Sequence, residues 1–115
     1  FRTKYILACA KAVASREFDL MSLYDMDTAN AKKSLMSLKG IGNKVADCIT
    51  LFALNKFNSF PIDVWIKRIM EYCYFDDTEQ SIPAIAQFAE ERFGELGGIA
   101  QQYLFFYARS LKIGT

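Results

Sequence analysis

The chain has 115 residues, 52% of them hydrophobic and 15% aromatic, enough to bury one core and too few for two separate domains. Its net charge is +1, so no global basicity advertises nucleic acid, and any DNA affinity has to come from local groups such as Lys32, Lys33, Lys39 and Lys44 together with backbone amides. Histidine is absent, which removes Ser-His-Asp and Cys-His catalysis, argues against a zinc site, and leaves Lys, Asp, Glu, Tyr and Cys as the available chemistry.

Apolar residues recur at three- and four-residue spacing, with two prolines, no repeat and no low-complexity tract, so the chain reads as all α. In chain order, helices are expected from Thr3 to Ser15, a short one from Leu20 to Tyr24, then Thr28 to Leu38, Asn43 to Leu54, Val64 to Tyr74, Ile82 to Phe93, and Ile99 to Lys112. Thr28, Asp63 and Ser81 are the expected N-caps of three of them, while Gly94 and Gly97-Gly98 close one helix and open another. Phe57 to Ile62 alternates apolar residues but contains Pro61 and has no partner, and is expected to be an extended connector.

Cys9, Cys48 and Cys73 are odd in number and widely spaced, as suits reduced thiols in an intracellular protein better than a disulfide framework. No apolar run reaches the 18 residues of a membrane span.

Two segments carry the most information: Leu38-Lys39-Gly40-Ile41-Gly42-Asn43-Lys44-Val45-Ala46-Asp47 and Phe60-Pro61-Ile62-Asp63-Val64-Trp65. Gly40 and Gly42 lack Cβ, so the backbone between them can turn with φ > 0 and approach another molecule closely. The apolar run that follows opens a helix, and bare N–H groups at its start suit a phosphate. Lys44 then falls in the first turn, where the helix dipole disfavours an ammonium ion. A lysine partly desolvated there reaches the neutral amine that a Schiff-base nucleophile requires, and an exposed one only pairs with phosphate. Spacing leaves both roles open. Asp63 is placed to accept N–H bonds at the start of the Val64 helix, which keeps it ionised, and a fixed anion also suits an oxocarbenium-like transition state. Lys44, Cys48 and Phe52 follow at four-residue steps on one helix face, as do Gln101 and Phe105 on the last helix; on spacing alone Cys48 and Phe105 read as core.

Leu-x-Gly-Ile-Gly-x-Lys-Val-Ala-Asp-Cys followed by Pro-Ile-Asp-Val resembles the helix-hairpin-helix plus Gly/Pro-Asp signature of DNA glycosylases, in particular the 8-oxoguanine DNA glycosylase/lyase branch. The likeness runs from Phe1-Arg2-Thr3-Lys4-Tyr5 to Gln101-Gln102-Tyr103-Leu104-Phe105. It implies a helix-hairpin-helix glycosylase helical domain acting on double-stranded DNA that contains an oxidised purine. Lys44 is then the nucleophile and Asp63 its assistant. Lys39, Gly40, Ile41 and Gly42 grip the DNA backbone, with room for a monovalent cation on hairpin carbonyls and no other cofactor. Cys48, Phe52, Gln101 and Phe105 meet the extruded base, and Phe1 and Arg2 fill the gap it leaves and read the orphan cytosine. The four-cysteine iron–sulfur loop of many relatives cannot be built here. Trp65 departs from the pattern, which commonly has histidine at that position. The resemblance also implies an upstream half, so residues 1–115 are expected to be one helical domain and a piece of a longer protein. A monomer is expected, in the cytoplasm or nucleoid of a prokaryote or the nucleus of a eukaryote. A helix-hairpin-helix module that binds DNA without turnover is the alternative, and an α-helical interaction domain with an ordinary Gly-x-Gly turn is another.

Overall fold

The computed structural model describes residues 1–112. Six α-helices, α1 (Thr3–Ala14), α2 (Thr28–Met36), α3 (Asn43–Cys48), α4 (Val64–Tyr74), α5 (Ile82–Phe93) and α6 (Gly97–Leu111), make up the frame, with no strand among the described residues. A 3-10 helix at Leu20–Asp25 separates α1 from α2, and a 3-10 turn at Gly94–Leu96 separates α5 from α6.

Two apolar clusters hold these elements. Ile66, Ile69 and Met70 lie on one face of α4 at three- and four-residue spacing and pack on Ile85 and Ala89 of α5 and Ala108 of α6. Phe60, Trp65, Tyr74, Phe88, Phe93 and Phe105 close its rim. Each fully buried aliphatic side chain here contributes roughly 1.5–3 kcal/mol. The second, smaller cluster joins Leu23, Ala31, Leu35, Ala46 and Leu54, with Ile41 of the hairpin leaning on it.

Helix ends depart from expectation in ways that have local causes. The cap of α2 is Asp27, whose carboxylate accepts from Asn30 N at 2.8 Å, while Thr28 donates its hydroxyl to Asn58 Oδ1. With the Thr28 hydroxyl engaged by Asn58, the Asp27 carboxylate one position earlier takes the cap. α2 stops at Met36, and α6 begins at Gly97, two residues before Ile99, where Gly98 N donates to Phe57 O at 2.7 Å. A Cβ on Gly98 would lie 2.3 Å from Leu51 Cδ1 and 2.8 Å from Ser59 O, so only glycine lets α6 start against the connector. The expected single helix from Asn43 to Leu54 is divided: α3 ends at Cys48 and a π turn runs over Ile49–Ala53. The π turn widens the spiral, so Phe52 does not continue the Lys44–Cys48 line, and its side chain is 58% exposed.

The connector to α4 is not extended throughout as expected: Phe57 and Asn58 form a turn in which Ser59 N donates to Lys56 O at 3.1 Å, and only Ser59 to Asp63 run without helix or turn, but the whole segment is well anchored. Lys56 N donates to Thr50 O at 2.9 Å, and the Thr50 and Ser59 hydroxyls meet at 2.6 Å in the interior. Lys56 Nζ donates to Met26 O, and Gln101 Nε2 donates to Pro61 O at 2.9 Å. These bonds deliver Asp63 to a defined place.

Candidate active site

The site grows from two helix starts. At the first, Gly40 has φ +92, and a Cβ there would meet the Tyr5 ring at 2.4 Å, so the hairpin turn and its contact with α1 both require glycine. Gly42 differs from expectation: its φ is −101, an ordinary extended value, and open space surrounds the place a Cβ would occupy. Its value is the absence of bulk. No side chain caps α3, and the N–H groups of Gly42, Asn43 and Lys44 have no protein partner among the described residues. They form a positive, open end of a helix of the kind that holds anions. The carbonyls of Lys39, Gly40 and Ile41 likewise accept no backbone hydrogen bond among the described residues, an oxygen donor set that suits a hard monovalent cation. Lys39 is exposed, and the Ile41 side chain is half-buried.

Lys44 is the second residue of α3 and is exposed, not partly desolvated as its place at the helix start suggested, because no described element packs over this open end of α3. At the second helix start, Asp63 is the N-cap of α4 as expected, its Oδ1 accepting from Ile66 N at 2.8 Å. Cys48, half-buried one turn after Lys44, joins the two. Burial pushes its thiol pKa up, the Lys44 charge pulls it down, and Asp47 and Asp63 push it up further. The thiol therefore feels the charges of both Lys44 and Asp63, although burial is the larger influence.

Gln101 is buried on α6, with Nε2 on Pro61 O and Oε1 accepting from Gln102 Nε2 at 2.6 Å. Phe105, one turn on, is half-buried at the rim of the larger cluster. Phe52 stands apart on the exposed side of the π turn. Phe1 is 94% exposed, with the Arg2 guanidinium 5.5 Å from its ring centre, at the outer end of α1. Lys32 is not a free cation: it pairs with Asp47 at 2.9 Å and ties α2 to α3, whereas Lys33 is exposed. Sequence reading passed over Arg109, whose guanidinium lies 5.2 Å from the Trp65 ring centre and 5.7 Å from that of Phe105. Its spacing of one turn from Phe105 was the available signal. No group of three or more His, Cys, Asp or Glu that could hold a metal occurs among the described residues, and no described helix is long and apolar enough to cross a membrane.

No protein-family model matches the chain. Among curated proteins it is similar to a probable N-glycosylase/DNA lyase of Methanothermobacter thermautotrophicus, 37% identical over 113 residues, which cover 95% of this chain and 34% of the relative. Solved structures give the same picture. MBOgg1 in complex with a low affinity DNA ligand is 44% identical with a TM-score of 0.93 over 97% of this chain and 38% of that one. The Clostridium acetobutylicum 8-oxoguanine glycosylase/lyase, in complex with double-stranded DNA containing cytosine opposite 8-oxoguanine, is 37% identical with a TM-score of 0.92 over 98% of this chain and 39% of that one. The chain thus spans about a third of the length of the curated relatives it matches. Sequence identity, shared fold and the two-part hairpin and Pro-x-Asp motif agree, and the chain belongs to the 8-oxoguanine glycosylase branch of the helix-hairpin-helix DNA glycosylases, corresponding to their C-terminal portion.

Proposed function

We propose that the chain is the catalytic portion of a base-excision repair enzyme, a DNA glycosylase and abasic-site lyase that removes 8-oxoguanine from double-stranded DNA. The observation that carries this reading is the pair of helix starts: the uncapped, open start of α3 that bears Lys44, and the start of α4 where Ile66 N–H holds the Asp63 carboxylate. The neighbours' names supply the substrate class: an 8-oxoguanine glycosylase/lyase bound to DNA shares this fold over 98% of the chain.

The damaged nucleotide leaves the stack, since its glycosidic bond cannot be reached there. The bare amides of Gly42 to Lys44 hold a nearby phosphate, and the carbonyls of Lys39, Gly40 and Ile41 are the residues to hold a monovalent cation, whose charge would steady that phosphate. Lys44 attacks C1′ of the sugar through its deprotonated amine; the bond from C1′ to the base breaks, its electron pair leaves with the base, and the base takes up a proton. Asp63, held in place by the Ile66 N–H, opposes the positive charge that develops on the sugar and receives the proton that Lys44 gives up. Opening of the sugar ring gives an imine between Nζ and C1′. Loss of a proton from C2′ expels the 3′ phosphate with its electron pair, and water releases Lys44. Cys48, Gln101 and Phe105 are the residues to meet the extruded base, Phe52 stands at its outer edge, and Phe1 and Arg2 enter the duplex. The protein acts as a monomer where the genome is, in the cytoplasm and nucleoid of a prokaryote or the nucleus of a eukaryote.

Borohydride trapping with a duplex carrying 8-oxoguanine opposite cytosine, beside an abasic duplex, tests this reading. The expected result is a covalent adduct that disappears in Lys44→Gln while DNA binding persists. A folded protein that binds DNA and yields no adduct on either duplex is a binding module.

A further inference from the structure

Arg109 is held by rings and not by an acid. Its guanidinium carbon lies over the rings of Trp65 of α4 and Phe105 of α6, at 5.2 and 5.7 Å from their centres. Both rings are half-buried and packed on the α4–α5–α6 cluster, so they are fixed, whereas Arg109 is exposed. The ion pairs among the described residues all use lysine: Lys32 with Asp47, and Lys67 with Glu71 and Glu79. Arg109 has no carboxylate within ion-pair distance there. It is a permanent cation oriented by two aromatic faces with its charge uncompensated.

Contact with a ring uses the face of a guanidinium and leaves its edge, where the N–H donors point, available. That edge matches two oxygens of a phosphate. The location narrows the choice of anion. Trp65 is two residues past Asp63 at the start of α4, and Phe105 is one turn past Gln101, so the cation stands at the margin of the candidate active site.

We infer that Arg109 binds a phosphodiester of the DNA strand carrying the extruded nucleotide, next to that nucleotide, and that Trp65 and Phe105 hold its guanidinium for this contact. The inference rests on the DNA glycosylase reading above. It makes Arg109 a binding residue supplied from a helix far from the hairpin in sequence, so the backbone is gripped on two sides of the reacting sugar.

The test is the salt dependence of binding, by fluorescence anisotropy, to a duplex with a stable tetrahydrofuran abasic-site analogue between about 50 and 200 mM KCl. Losing one phosphate contact should make the slope of log affinity against log salt shallower by about 0.9, with binding weakened about tenfold at low salt, in Arg109→Gln. Arg109→Lys should restore the slope but not the full affinity, because it returns the charge without the ring-held plane. Circular dichroism establishes that both variants fold. An unchanged slope in Arg109→Gln overturns the inference, as does a loss confined to duplexes containing a damaged base with the slope intact, which would make Arg109 a base-stacking residue. Normal Lys44 trapping alongside such a result leaves the glycosylase reading standing; no DNA binding by the unsubstituted protein sinks both.

Discussion

The starts of α3 and α4 have nearly the same backbone and opposite chemistry. Gly42 caps α3 at φ −101, ψ −168, and Asp63 caps α4 at φ −103, ψ −173. In this extended conformation a carboxylate reaches the third amide of the helix, and at Asp63 it does so, on Ile66 N. At Gly42 no side chain is there to do it, and the amides stay open. One helix start is satisfied from within the chain and the other is left for an external anion. The difference costs α3 a few tenths of a kcal/mol, since glycine is a nearly adequate cap, so function can hold this position cheaply.

The comparison can be broken or sharpened by exchanging the two chemistries. Asp63→Asn keeps an oxygen for the cap but removes the charge; base-release rate should fall by about 10²–10⁴-fold while the melting curve barely moves, as single-turnover kinetics and thermal unfolding would reveal. A parallel loss of stability would mean that Asp63 is only a cap. Gly40→Ala comes next: with φ +92 and the Tyr5 ring in the way, it should destabilise the fold by about 2 kcal/mol in urea unfolding. Gly42→Asp gives α3 the cap that α4 has. Because its φ is ordinary and its surroundings are open, stability should hold or rise slightly, whereas DNA affinity should fall about tenfold, as the carboxylate fills and charges the anion site. Retained affinity would show that the hairpin amides do not touch phosphate.

The smallest effect lies nearer the other end of α4. Glu71 accepts from Lys67 Nζ at 2.7 Å and from Gln80 N at 2.8 Å, and the Lys67 bond above all holds its pKa below the usual value. A lowered native pKa stabilises the fold above the unfolded value of about 4.3 and ceases to do so as pH falls through the native one. Glu71→Gln should therefore be less stable at neutral pH, with the gap closing in acid, when unfolding midpoints are compared across pH.

Much of the architecture was legible. The bounds of α4 and α5, the caps Asp63 and Ser81 and the closing Gly94 all follow from local rules, and the structure has them there. Misses fall where distant contacts decide. Gly98 was read as helix punctuation, but it is the point where α6 meets Leu51, Phe57 and Ser59, which no local pattern reveals. Phe52 was read as continuing the Lys44–Cys48 face, and the π turn at Ile49–Ala53 moves it off that face; the Thr50 hydroxyl, engaged by Ser59 in the interior, lies within that turn. Arg109 carried no motif, and its significance depends on Trp65, a residue of another helix.

By itself the sequence determined the all-helical fold, the hairpin with its glycines, and the places of Lys44 and Asp63 at two helix starts, because periodicity, capping and turn chemistry act within a few residues. Only the tertiary structure decided which of two similar helix starts stays open, that Cys48 lies within the fields of both Lys44 and Asp63, and that Lys32 is neutralised while Arg109 is not. Charge and hydrogen-bond partners are set by distance in space, and the packing of α2, α3, α4 and α6 sets those distances.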